Sequence, residues 1–178
     1  MSRYVVLLRA VNLGSTNKVP MKWLREAAEA AGFADVATYV QSGNLVVSSP
    51  ASAAKVGSIV AALIKDEHGL DIDVIVRRRN ELAAAIKANP FTDEIAEPTK
   101  VHINFLDGPP AKAKVAALDP DEFAPERFVI KGKEMYLYYP DGAGRSKLAT
   151  APWKRRLGVI GTARNWRTVA TLLEMMDA

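Results

Sequence analysis

Apolar positions along the chain fall into short runs separated by polar turns, alternating between a strand-like and a helix-like rhythm. Residues 3–9 (Arg-Tyr-Val-Val-Leu-Leu-Arg) form a continuous apolar run between two arginines, the pattern of a strand covered on both faces. A polar loop from Asn12 to Val19 follows, and Pro20 suits the opening of a helix. Met21, Leu24, Ala27, Ala28 and Ala31 then recur at helical spacing, and Gly32-Phe33 supplies a glycine stop with a trailing apolar contact. Two β-type runs, Val36–Gln41 and Asn44–Ser49, flank Ser42-Gly43 and predict a tight hairpin. A second helix carries Val56, Ile59, Val60, Leu63 and Ile64 and closes at Gly69-Leu70; a strand over Ile72–Val76 follows. The succession is β-α-β-β-α-β, the ferredoxin-like arrangement.

Asn80 is placed to cap a short helix, Glu81–Lys87, which Asn89-Pro90 stops. The second half then rhymes with the first. Val101–Leu106 predicts a strand, Ala111–Leu118 a helix, and Phe128–Ile130 with Met135–Tyr139 a hairpin about Lys131-Gly132-Lys133. Ser146–Leu157 is partly helical in pattern, interrupted at Pro152. Trp166, Val169, Leu173 and Met176 mark one face of a terminal helix starting near Asn165. The expected architecture is α+β, with two ferredoxin-like (βαββαβ-type) subdomains, the second less regular and ending in a C-terminal helix. The expected boundaries are 1–79 for the first subdomain, 80–99 for a helical connector and 100–178 for the second.

Composition narrows the chemistry. The 178 residues contain no cysteine, which excludes a disulfide framework, thiolate metal sites and a cysteine nucleophile. No apolar run near the start is long enough for a signal-peptide core or a membrane span, so the chain reads as cytoplasmic with no membrane partner. The net charge is +4. Between Asp141 and Glu174 there is no acidic residue, while Arg145, Lys147, Lys154, Arg155, Arg156, Arg164 and Arg167 concentrate positive charge, leaving the rest of the chain net negative.

Three segments, Leu7-Leu8-Arg9-Ala10-Val11-Asn12-Leu13-Gly14, Tyr39-Val40-Gln41-Ser42-Gly43-Asn44 and Thr162–Thr168, resemble the bacterial domain-of-unknown-function family numbered 1697. Asn17-Lys18-Val19, Ala88-Asn89-Pro90-Phe91 and Gly144-Arg145-Ser146-Lys147-Leu148 extend the likeness in the same order. The resemblance implies a two-part ferredoxin-like fold and a cytoplasmic bacterial origin, and it implies no activity. Where the family commonly has glycine, this chain has Ala10 and Ser15, residues that tolerate a positive φ poorly.

Candidate binding residues lie in four segments. The Arg9–Lys18 loop, with Arg9, Asn12, Asn17 and Lys18, follows a buried strand and precedes a helix, an arrangement that can hold an anion. It is not a P-loop, because the second glycine and the Ser/Thr after lysine are missing. Read as structure alone, its asparagines satisfy local backbone groups. Gln41, Ser42 and Asn44 form the hairpin turn, and Ser42 lacks the G-x-S-x-G elbow of a hydrolase nucleophile. Arg145 and Lys147, beside Gly142 and Gly144, can form a phosphate cradle or a surface turn. Arg164, Asn165 and Arg167 sit where a terminal helix starts; two cations there oppose the helix dipole unless an anion binds nearby.

The two histidines are far apart, His68 at a helix end and His102 in a strand, so no metal site is called for and no motif demands a cofactor. Asp71 and Asp73 alternate with Ile72 as a solvated strand face, and Arg77-Arg78-Arg79 reads as a solvated charge run. No catalytic residue can be named. The favoured reading is an anionic small ligand, bearing phosphate or carboxylate, in a cationic cleft between the subdomains. The runner-up is electrostatic RNA binding through the basic tract, for which Tyr136, Tyr138 and Tyr139 are the only clustered strand aromatics. A non-catalytic protein-partner module is the third.

Overall fold

The structure is a computed structural model describing residues 1–178. Eight strands and seven α-helices build two four-stranded antiparallel sheets, so the fold is α+β. The chain divides into two units, Met1–Ala84 with Thr171–Ala178, and Ala85–Ala170. The boundaries expected at 79 and 99 differ from this division in two respects. The helix after residue 78 contributes to both units, and the last eight residues group with the first.

In the first unit β1 (Ser2–Leu8), α1 (Met21–Ala30), β2 (Ala34–Tyr39), β3 (Asn44–Ser49), α2 (Ala53–His68) and β4 (Val74–Arg78) follow one another, with sheet order β2-β3-β1-β4. The apolar run of β1 is buried on both faces. Tyr4, Val6 and Leu8 pack with Leu45, Val47, Leu24, Val56, Val60 and Ile64 in one core, and Val5 and Leu7 on the opposite face are equally inaccessible. Burial of each large aliphatic side chain contributes roughly 1.5–3 kcal/mol. The stop signals act as the sequence predicts. Gly32, at φ 92°, donates to the Glu29 carbonyl while Phe33 N–H reaches the Ala28 carbonyl, and Gly69, at φ 66°, donates to Lys65.

Details differ. The β2–β3 connection spans residues 40–43 rather than two residues, with Val40 and Gly43 both at positive φ. β4 begins at Val74, so Asp71 and Asp73 do not mark a strand face: Asp71 pairs with Lys65 at 2.7 Å and Asp73 with Arg9 at 3.5 Å. Arg77 is not part of a solvated run. It is only 3% exposed, because it shares with buried Ile75 the face of β4 opposite the one that Val74 and Val76 pack into the helix-covered core.

The helix α3 (Arg79–Lys87) is not capped by Asn80; the Glu81 carboxylate reaches back to the Arg78 N–H at 2.8 Å, half of a capping box. After a single 3-10 turn at Glu94–Ala96 come β5 (Val101–Leu106), α4 (Lys112–Ala116), β6 (Arg127–Lys131), β7 (Glu134–Tyr138), α5 (Lys147–Thr150), α6 (Trp153–Leu157), β8 (Gly161–Asn165) and α7 (Trp166–Asp177). The second sheet has the order β6-β7-β5-β8, the same relative order as the first. Pro152 splits the predicted helix into α5 and α6. The buried face of α7 carries Val169, Leu172 and Met176; Leu173, expected there, is only half-buried, a shift of one position in register.

Candidate anion-binding loop

The Arg9–Lys18 loop leaves β1 under tight backbone control. Leu8 N–H donates to Gly43 O at 2.9 Å and Arg9 N–H to Asp73 O at 3.0 Å. Residues 12–17 then fold into a miniature hairpin. Asn12 N–H bonds Asn17 O at 3.0 Å, Thr16 N–H bonds Leu13 O at 3.0 Å, and Gly14 turns at φ 60°. Ala10, Asn12 and Asn17 also take positive φ, of 55°, 54° and 49°. Asparagine tolerates this region; Ala10 adopts it without that tolerance. Ser15 does not enter it.

The asparagine side chains are spent on holding this shape. Asn12 Nδ2 donates to Val19 O at 2.9 Å and to Gln41 O at 2.7 Å, while its Oδ1 accepts from Val19 N–H at 2.8 Å. It thereby stitches the loop to the β2–β3 turn. Asn17 Nδ2 donates to Ala10 O at 3.0 Å. Fully buried Asn44 donates to Tyr39 O at 3.0 Å and to Ser42 Oγ at 2.9 Å, and Ser42 is thus a turn residue.

What faces outward from this frame is cationic and polar apart from Leu13 at the tip, which is 63% exposed. Lys18 and Gln41 are exposed, and Arg9 is partly exposed beside Asp73. Lys18 leads through Pro20 directly into α1, whose first turn has no side-chain cap and no acidic residue. Its first intrahelical bond is Leu24 N–H to Pro20 O, so the preceding N–H groups have no intrahelical acceptor. A braced loop therefore delivers a lysine to the positive end of a helix dipole.

The second-unit candidates sit differently. Arg145 and Lys147 are exposed on either side of buried Ser146, whose Oγ accepts the Ala149 N–H at 2.9 Å. The Thr162–Thr168 segment overturns an expectation. Arg164 does not sit in the first turn of a helix; it lies within β8, 7% exposed, with Nη1 donating to Thr162 Oγ1 at 2.7 Å and to Ala163 O at 2.9 Å. Burial lowers its pKa to about 10, so it stays charged at neutral pH. Asn165 does cap α7, accepting the Thr168 N–H at 2.9 Å, and Arg167 is exposed. Arg164 and Arg167 therefore do not form one solvent-facing pair.

Sequence reasoning missed β8 and Arg77. One signal connects them. The β1–β4 and β5–β8 registers place Val5 opposite Arg77 and Ile103 opposite Arg164, so the two buried arginines occupy equivalent positions of equivalent strands. Each donates Nη1 to the carbonyl of its preceding residue. Among the seven basic-tract cations, Arg156 is committed to Glu122 through two 2.7 Å bonds, and Arg145, Lys147, Lys154, Arg155 and Arg167 remain exposed. No group of three or more histidine, aspartate or glutamate side chains is placed to hold a metal ion, and no helix is long and apolar enough to cross a membrane.

These features define a two-unit α+β protein whose halves share one strand order. The family described as Protein of unknown function (DUF1697) matches residues 1–136, and the chain belongs to that family. The conserved bacterial protein SP0830 from Streptococcus pneumoniae has a similar structure, with a TM-score of 0.73 at 20% identity and 98% of each chain covered. No curated protein matches the chain. The 162–168 and 144–148 motifs lie beyond the family match, within the span of the structural likeness.

Proposed function

We propose that the protein binds an anionic small ligand, bearing phosphate or carboxylate, at the Arg9–Lys18 loop and the first turn of α1. The observation that carries this reading is the uncapped, acid-free start of α1, preceded by exposed Lys18 in a loop held by Asn12 and Asn17. Gln41 and Arg9 border the same loop, so a carboxylate or phosphate would meet backbone N–H donors, one amide and two cations. This constellation is built from residues of the first unit. Each unit is read as following the ferredoxin-like plan, on the strength of the shared strand order and the βαββαβ succession of the first.

Thermal unfolding against nucleotides, sugar phosphates and carboxylated acyl carriers tests the reading. A ligand at about 100 times its dissociation constant adds roughly 2.7 kcal/mol and raises the melting point by several degrees. Lys18→Ala should lose that shift while melting normally without ligand. Equal stabilisation of wild type and variant would refute the site. Electrostatic RNA binding is the second reading, favoured by the five exposed cations of the basic tract. It is weakened by the aromatics: Tyr136 and Tyr139 are buried, and Tyr138 lies under the Arg127 guanidinium, so no open stacking platform forms. RNA affinity should then fall steeply between low and moderate salt.

A further inference from the structure

The second unit carries a cavity of about 400 Å³ between the loop before α4, α4 itself and the β6–β7 hairpin. Pro109, Pro110, Val115, Ala116, Ile130 and Gly132 line it, and Lys112 is its only charged lining residue. Its walls are stiff for local reasons. Two consecutive prolines fix the backbone on one side, and Gly132, at φ 59°, makes the tight β6–β7 turn on the other. Val115 is partly buried, and Ile130 is partly buried against the core of the second unit. On the hairpin side Lys131 is turned elsewhere, its Nζ donating to Ala88 O at 2.7 Å. No carboxylate lines the cavity.

An apolar floor with a single lysine, Lys112, at its mouth favours one kind of occupant. A hydrocarbon or aryl body would cover Val115, Ala116, Ile130 and the proline rings, and its acid group would meet the Lys112 ammonium. We propose that this cavity binds a small amphipathic carboxylate, an aliphatic or aryl acid, independently of the first-unit loop. A neutral body of the same size would gain the apolar contact alone. An amine of the same size would keep the apolar contact but place its charge against Lys112.

Octanoate titrated into ¹⁵N-labelled full-length protein tests this. The amide signals of Val115, Ala116, Ile130 and Gly132 should move together and saturate, and 1-octanol should bind more weakly than octanoate by about fivefold. Octylamine should bind more weakly than 1-octanol. Lys112→Glu should weaken octanoate by a similar or larger factor, and Ala116→Trp, at an exposed helix position, should fill the cavity and abolish the shifts while leaving the remaining spectrum intact. Lys18→Ala should bind octanoate as wild type does. The proposal is overturned if octanoate at millimolar concentration leaves these four signals unmoved, if octylamine moves them equally, or if Ala116→Trp binds undiminished.

Discussion

At Val40 the backbone takes φ 50°, in the left-handed region where a β-branched side chain crowds its own carbonyl, and the side chain is half-exposed with little packing to offset this. Val40→Asn should therefore stabilise the protein by about 1 kcal/mol, seen as a melting-point rise of roughly 2–4 °C. Gly43 is the opposite case. A Cβ there would lie 2.6 Å from Val11 Cγ2 and 2.7 Å from Leu8 Cβ, at φ 82°, so Gly43→Ala should cost roughly 2–4 kcal/mol in urea unfolding. His102 sets a pH dependence. Burial lowers its pKa from 6.5 to about 4, and its Nδ1 finds no hydrogen-bond partner. The unfolded chain binds the proton first, so this contribution is complete above about pH 6.5 and is lost as pH falls toward 4. By pH 5 the loss reaches about 2 kcal/mol, and His102→Phe, which keeps the ring against Tyr139, should flatten that part of the stability profile.

Elements depend on a small number of side chains that close backbone bonds. Asn12→Ala removes three such bonds and leaves Val19 N–H, Val19 O and Gln41 O to find other partners. It also puts alanine at φ 54°. The cost should be roughly 2–3 kcal/mol, with faster hydrogen exchange at Val19 N–H confirming that the loop itself has opened. Helix starts give a sharper contrast. Asn165→Ala should cost about 1 kcal/mol by removing the α7 cap, whereas Asn80→Ala should be close to neutral because Glu81 does the capping of α3. Both asparagines read alike in sequence. A cap needs its oxygen aimed at an N–H two or three residues on, and that aim depends on where the preceding strand ends. β4 ends at Arg78, one residue before the expected helix start would allow Asn80 to serve.

Across the whole chain, the last eight residues belong with the first unit although they are last in sequence. Leu172 and Met176 are buried, Arg3 donates to Met175 O at 3.1 Å, and Arg79 makes a two-bond pair with Asp177. Removing residues 171–178 should therefore lower the melting point of the protein by well over the few degrees a frayed terminus costs, which calorimetry would show directly. The family, the α+β class, most strands and helices and both glycine stops of the first unit were legible in the chain, because each rests on local rules: period, turn chemistry and propensity. The loop residues Asn12, Asn17 and Asn44 were also singled out, though as candidates for a ligand when their amides chiefly brace the backbone. Sheet parity was not legible. It buries Arg77 and Arg164 at matched positions, while pairing with β5 makes a strand of Gly161–Asn165 and tertiary packing sets the buried face of α7 at Leu172. Period and capping are properties of neighbours a few residues apart, so the amino-acid order alone settles them; which face of a strand is buried depends on partners about 60 to 75 residues away, and only the folded chain brings those together.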